Sequence, residues 1–412
     1  MHTTNPLRSV RTRTLRPLAL TLVGWACLAG TAAHAETSPY YLGVSQRFTH
    51  NSNVFLNTDA LAKSDTVSST GVRLGLDQPI SRQRLSASFN ANANRYSSLN
   101  ALNNTDYALD ARLDWETVDR LSGNVTVSSR ESLPTDAAAL SSGVRNLLKV
   151  NSASVQANLG QVTRWSFDAG AAMARSSYSE PLYARNNANQ TSLNAGVRVT
   201  PASGLTLRTG LRHANVAYPN VNNDVRRNDL DFSVVVNPGG ASVFNGRLSL
   251  TRENQSLADR NLNNWTGALG WNWKPTGKLS TSVSLSRDTS NGSYDFTTGV
   301  LNVASSNTTI GTTLGLTAQW EVTSKIAVSG NLAHSRRSLD NSLTIGAGVL
   351  PSSASDTTNT LGLNVQYAVL RNVDLGCGVT WSDRSVSSSG TTALTSPYSA
   401  TTFSCFGQAL LR

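Results

Sequence analysis

The chain is expected to be all-β: a transmembrane antiparallel up-and-down β-barrel of about 18 strands (16–18), with short periplasmic turns and long extracellular loops. Three observations predict it. Apolar and polar residues alternate with period two along nearly the whole length, the connections between these segments alternate between short and long, and no window approaches the 18 consecutive apolar residues of a membrane helix. The central segment shows the pattern most clearly. Tyr107, Leu109, Ala111, Leu113 and Trp115 are interleaved with Ala108, Asp110, Arg112 and Asp114. After Val118-Asp119-Arg120 the alternation resumes with Leu121, Gly123, Val125 and Val127 against Ser122, Asn124, Thr126 and Ser128. Successive strand side chains point to opposite faces, so this is a hairpin with one apolar and one polar face.

Residues 1–35 read as a cleavable secretory leader. Arg8, Arg11, Arg13 and Arg16 precede an apolar run from Leu18 to Ala33, which ends in Ala33-His34-Ala35. Residues 36–412 read as a single barrel domain. The leader holds four arginines and no acid, so the formal charge of +10 falls to +6 on cleavage. That mild excess contains no Lys/Arg run resembling a nucleic-acid footprint, and no nucleic-acid partner is expected.

Strand by strand, Leu42, Val44 and Phe48 mark the first apolar face, and Val72, Leu74 and Leu76 the second. Leu85, Ala87, Phe89, Ala91 and Ala93 mark the third, and the central hairpin supplies the fourth and fifth. Paired runs continue with Val155 and Phe167, Leu193 and Leu207, Phe232 and Leu248, Trp271 and Val283, Leu316 and Val328, and Val365 and Val379; Phe403 and Leu411 mark the last. Gly160 to Thr163, Pro201 to Gly204, Pro238 to Ala241, Pro275 to Lys278 and Val322 to Lys325 are short turns. Glu131 to Lys149, Asp288 to Ser306 and Ser338 to Thr357 are expected to be long polar loops. Trp115, Trp165, Trp271, Trp273 and Trp320 lie near the short turns, whereas Tyr96, Tyr107, Tyr218, Trp265 and Trp381 lie near the long connections. This is the distribution of two interfacial aromatic girdles.

No catalytic constellation is expected. His50, His213 and His334 stand apart, without a repeated Ser or acid spacing, and no metal-binding or nucleotide-binding motif occurs, so no metal or cofactor is predicted. If the last two strands pair so that opposed residue numbers sum to 782, Cys377 faces Cys405 and Val379 faces Phe403. A cross-strand disulfide is the expectation, two free thiols the alternative; either role is structural.

Strand phase points Asn90, Asn92, Asn94 and Asn194 into the bore, together with Arg73, Arg112, Arg198, Arg208, Arg212 and Arg247. Asn124, Gln156, Asn158, Asn364 and Gln408 share that phase, and inward acids are fewer: Asp110, Asp114, Asp168 and Asp231. Amides and hydroxyls both donate and accept, which suits a hydrated sugar chain, and arginines suit uronate, pyruvyl or phosphate groups. Any water-filled porin also has a polar lining.

The runs Ser81-Arg82-Gln83-Arg84-Leu85, Arg95-Tyr96 with Leu99-Asn100, Leu113-Asp114-Trp115 and Leu121-Ser122-Gly123 resemble the exosortase-associated exopolysaccharide outer-membrane barrels. These are the EpsL-like proteins of the β-barrel porin 2 class. His50-Asn51-Ser52-Asn53-Val54-Phe55, Arg145-Asn146-Leu147 and Trp273-Lys274-Pro275-Thr276-Gly277-Lys278 extend the likeness over most of the mature chain. The terminal Leu410-Leu411-Arg412 departs from the aromatic residue that commonly ends such barrels. The resemblance implies a bacterial outer-membrane conduit that exports a polysaccharide, surrounded by outer-membrane lipid and served by periplasmic export or polymerisation proteins. The alternatives are a general diffusion porin for small solutes and a closed structural or adhesive barrel.

Overall fold

The computed structural model describes residues 38–411 apart from positions 119, 135–143, 161–162, 221–222, 257–259, 299–300, 346–347 and 390–394. The leader and its cleavage site lie outside the described residues. Eighteen strands follow one another: β1 (Tyr40–Asn51), β2 (Asp65–Ile80), β3 (Gln83–Tyr96), β4 (Asn104–Glu116), β5 (Leu121–Ser132), β6 (Leu148–Leu159), β7 (Trp165–Tyr178), β8 (Ala188–Ala202) and β9 (Leu205–Tyr218) form the first half. The second half comprises β10 (Asn223–Val236), β11 (Ser242–Gln255), β12 (Arg260–Thr276), β13 (Leu279–Thr298), β14 (Leu301–Glu321), β15 (Ile326–Ile345), β16 (Gly348–Leu370), β17 (Val373–Ser389) and β18 (Tyr398–Leu411). Each strand pairs antiparallel with the next, and β1 pairs with β18 from Leu42 opposite Leu411 to Asn51 opposite Thr402. Closure pairs the strands around the cylinder and so satisfies their backbone groups in hydrocarbon, except where the upper part of β12 has no partner in β13.

The alternation read in the sequence decides which face is which. Leu109, Leu113, Val125, Val155, Leu193, Leu211, Leu269, Leu332 and Leu363 are exposed on the outer wall, although they are large and apolar. Shallow apolar grooves between such residues, for example one of about 480 Å³ beside Trp165, Leu207, Phe232 and Leu269, are spaces for acyl chains. The short turns need little chain: at Gly204 (φ +78°) a side chain would collide with the Asn237 carbonyl, so glycine is required there.

The long connections depart from expectation in two places. Asp288 to Ser306 and Ser338 to Thr357 belong mostly to strands, because β13–β14 and β15–β16 extend as continuous ladders to Thr298 opposite Leu301 and Ile345 opposite Gly348. Thr, Val and Leu occur in both segments and favour continued pairing, which the Ser and Asn content obscured.

At the extracellular end Val54, Phe55 and Leu102 form a small core with Tyr96, Leu99 and Leu133. Asn53 is fully buried beside it; its side chain donates to the Asn57 and Ser399 carbonyls. Asp65 accepts from the backbone N–H groups of Thr66, Ser98 and Leu99. The motif around Asn53 and the Tyr96–Asn100 segment therefore act in holding these connections together.

In the last hairpin Cys377 stands opposite Cys405, with a Cα–Cα distance of 4.1 Å, and the sulfurs are bonded. Val379 opposes Phe403 and Leu375 opposes Gly407 in the same register. The mature protein, denatured without reductant, is expected to bind no maleimide reagent and to bind two equivalents after reduction. Labelling before reduction would contradict the bond.

Candidate functional site: the lining of the bore

The inward faces carry three polar clusters, each spread over neighbouring strands. In the first, Asn92 Nδ2 donates to Asp106 Oδ1 at 2.6 Å, and Asn94 Nδ2 donates to Asp106 Oδ2 at 2.6 Å and to Asn104 Oδ1 at 3.0 Å. Ser69 donates to Asn94 Oδ1. Across β1, Arg73 donates to Gln408 Oε1 at 2.8 Å, and Gln408 donates to Asp374 at 3.0 Å. Tyr41, Arg73, Ser88, Asn90, Asn92 and Leu410 line a polar recess of about 470 Å³. Gly71 makes room for it, since a side chain there would meet Asn92 Oδ1.

The second cluster spans β6 to β9. Arg208 reaches across β8 and forks onto Asp168, with Nε–Oδ1 at 2.8 Å and Nη2–Oδ2 at 2.6 Å. Gly196, on the intervening strand, lies beneath the guanidinium, and any side chain at that position would displace it. Gln156 and Asn194 converge in the same manner over Gly170. Arg198 makes no ion pair among the described residues.

The third cluster covers β9 to β13. Asp229 is buried and accepts from Arg212 and Arg227, each at 2.8 Å, and from Thr251 at 2.5 Å. Ser249 donates to Asp231, Gln255 to Glu253 at 2.9 Å, and Arg247 to Asp288 at 3.3 Å. The inward side chains of Ser249, Thr251, Glu253, Gln255 and Thr266 are also buried, which the wall of an open aqueous channel would not be. Their cover comes from β13. This strand pairs with β12 only as far as Arg287 opposite Gly267; beyond that, Thr289 lies 3.3 Å from Arg227 of β10. β13 also touches the 3₁₀ turn Pro181–Asn186 that follows β7. Its upper part has thus left the wall and turned in over the bore.

The charge pattern differs from the sequence-based expectation. Asp77, Asp106, Asp229, Glu253, Asp288, Asp356 and Asp374 join the acids foreseen, because the strands run further than their apolar stretches. Arg112, Arg208, Arg212 and Arg247, read as suited to anionic groups of a polymer, are ion-paired with Asp114 and Asp168, both foreseen as inward, and with Asp229 and Asp288, which were not. Arg337 is likewise paired with buried Asp356. Paired charges in a wet bore hold its field close to neutral, and the surface left to a passing molecule is mostly amide, hydroxyl and backbone. Among the described residues no group of three His, Cys, Asp or Glu side chains is placed to hold a metal ion.

No family model and no curated protein matches the chain. Among solved structures it is similar to OpdK of Pseudomonas aeruginosa crystallised with vanillate, at 11% identity and a TM-score of 0.47, covering 90% of this chain and 99% of that one. It is also similar to the FrpB iron transporter of Neisseria meningitidis, at 10% identity and a TM-score of 0.48, covering 91% and 82%. The assignment therefore stands on the molecule's own features. A closed cylinder of 18 antiparallel strands, apolar outside and polar inside, is a bacterial outer-membrane β-barrel.

Proposed function

We propose that this barrel is a non-enzymatic conduit through which an extracellular polysaccharide leaves the cell. The observation that carries the reading is the neutralised bore: its arginines are largely tied to acids, while Asn90, Asn194 and Asn364 offer amides along the wall. A hydrated sugar chain exchanges hydrogen bonds with such a surface at little net cost, because each broken bond to water is replaced by one of similar strength. Synthesis, or periplasmic export and polymerisation proteins, supplies the drive, and surrounding outer-membrane lipid is the only other partner invoked. The pairing of Arg112, Arg208, Arg212 and Arg247 favours a neutral or weakly charged polymer over a strongly anionic one.

A second reading, a diffusion porin for small solutes, is favoured by the upper part of β13, which narrows the mouth. Deleting the gene is expected to abolish extracellular polysaccharide while leaving uptake of small nutrients unchanged. Normal secretion together with loss of small-solute uptake would select the porin. In liposomes carrying the protein, removing residues 291–307 at the hairpin tip is expected to raise single-channel conductance at least about twofold, as widening an aqueous constriction should.

A further inference from the structure

The outer wall of β9–β12 changes from apolar to basic within one residue pair. Leu211, Leu230, Leu250 and Trp265 lie opposite one another on adjacent strands, all exposed, and form the last apolar row before the extracellular end. The next outward row is His213, Asn228, Arg252 and Asn263, and the one beyond it Asn215, Arg226, Asn254 and Asn261. His213 and Arg226, and Arg226 and Arg252, are thus diagonal neighbours about 7–8 Å apart at the backbone, while His213 and Arg252 lie in one row two strands apart, roughly 10 Å. Asn228 Oδ1 accepts from His213 Nδ1 at 2.8 Å, which leaves Nε2 to face outward.

Arg226 and Arg252 differ from most of the arginines inside the bore. Arg112, Arg208, Arg212, Arg227, Arg247 and Arg337 each have a carboxylate partner. Arg226 and Arg252 are exposed and form no ion pair among the described residues; Asp224, two residues above Arg226 on the same face, is the nearest acid along the strand. Two strands on, the Arg287 guanidinium stacks 4.6 Å from the Trp265 ring centroid, and its Nε has no hydrogen-bond partner among the described residues. Height decides what these groups meet. Two residues of a strand tilted about 40° climb roughly 5 Å, and the headgroup layer is about 5–8 Å thick. The basic rows therefore lie level with the outer-leaflet headgroups, directly above side chains that touch acyl tails.

We propose that His213, Arg226 and Arg252, flanked by Asn215, Asn228 and Asn254, form a binding site for the phosphate groups of a phosphorylated glycolipid of the outer leaflet. Two guanidiniums on neighbouring strands match a phosphate's acceptor oxygens, the amides match sugar hydroxyls, and His213 Nε2, an acceptor while Nδ1 donates to Asn228, takes a hydroxyl of the same headgroup. The leucine row below takes the acyl chains of the same molecule. The site would anchor one side of the barrel in the leaflet, next to the place where β13 leaves the wall.

The test uses the full mature barrel in detergent micelles and three probes: diphosphorylated lipid A, the same lipid with both phosphates removed, and inorganic phosphate. Affinity is read from tryptophan fluorescence, and folding from the gel shift between heated and unheated samples. Diphosphorylated lipid is expected to bind at least about tenfold more tightly than the dephosphorylated form, and the double variant R226Q/R252Q to lose that margin; R95Q, basic and outward on β3, should retain it. Saturation by inorganic phosphate at comparable concentration, equal binding of the two lipids, or an unchanged margin in R226Q/R252Q would overturn the proposal. Should the double variant fail to fold, R252Q alone and the two-lipid comparison on the unmodified barrel decide.

Discussion

Arginine placed at Leu113 or at Val125 is expected to destabilise the folded barrel by about 2–4 kcal/mol, whereas arginine at Asn124 should cost less than about 1 kcal/mol. Leu113 and Val125 oppose each other on β4 and β5 and are exposed on the outer wall, within the apolar stretch of their strands. A guanidinium there must enter hydrocarbon or drag water and headgroups toward it. Asn124 is the next residue along the chain, yet its side chain faces the hydrated bore, where a cation keeps its solvent. Urea titrations of the barrel in lipid vesicles, followed by tryptophan fluorescence, measure all three. Equal losses at Leu113 and Asn124 would contradict this assignment of the two faces, and a larger loss at Asn124 would mean that they are exchanged.

Arg208→Gln is expected to cost about 3 kcal/mol, because it strands a carboxylate. The Asp168 side chain is 5% exposed and receives both of its close hydrogen bonds from Arg208. Breaking a buried pair on one side leaves a charge with neither partner nor water, a loss of about 3–5 kcal/mol in closed interiors and at the lower end beside a wet bore. The double variant R208Q/D168N removes both charges and should recover most of the loss. Arg130→Gln is the matched control: its partner Asp110 is 43% exposed, and such pairs contribute about 0–1 kcal/mol. Urea midpoints of the four proteins test this. If R208Q and R130Q are equally mild, the inner wall holds enough water to make the pairing irrelevant.

What the sequence made legible was everything that depends on strand phase. Alternation at Tyr107 to Val127 assigns the faces, the parity of the connections sets which end is which, and the sum rule for the last hairpin aligns Val379 with Phe403. Contacts that depend on how strands are staggered were not legible. Arg208 and Asp168 are 40 residues apart and meet over a third strand, and that meeting requires Gly196, whose role is invisible without the register. Arg227 and Thr289 meet only because β13 bends out of the wall, and by phase alone Thr289 would face lipid. The inward acids Asp229, Glu253 and Asp356 escaped notice because they lie beyond the apolar stretch that defined each strand. The excess of arginine over acid in the bore was therefore overestimated, which changes the class of polymer the wall suits.

The account rests most directly on the alternation of wet and greasy faces around one closed cylinder. Single cysteines at Leu109, Asn124, Leu193, Asn194, Leu363 and Asn364, introduced where Cys377 and Cys405 have been replaced by serine, measure it in proteoliposomes. A water-soluble, membrane-impermeant thiol reagent should label Asn124, Asn194 and Asn364, and a lipid-borne nitroxide should quench probes at Leu109, Leu193 and Leu363. Labelling of the leucine positions by the aqueous reagent, with the asparagine positions protected, would contradict the barrel described here.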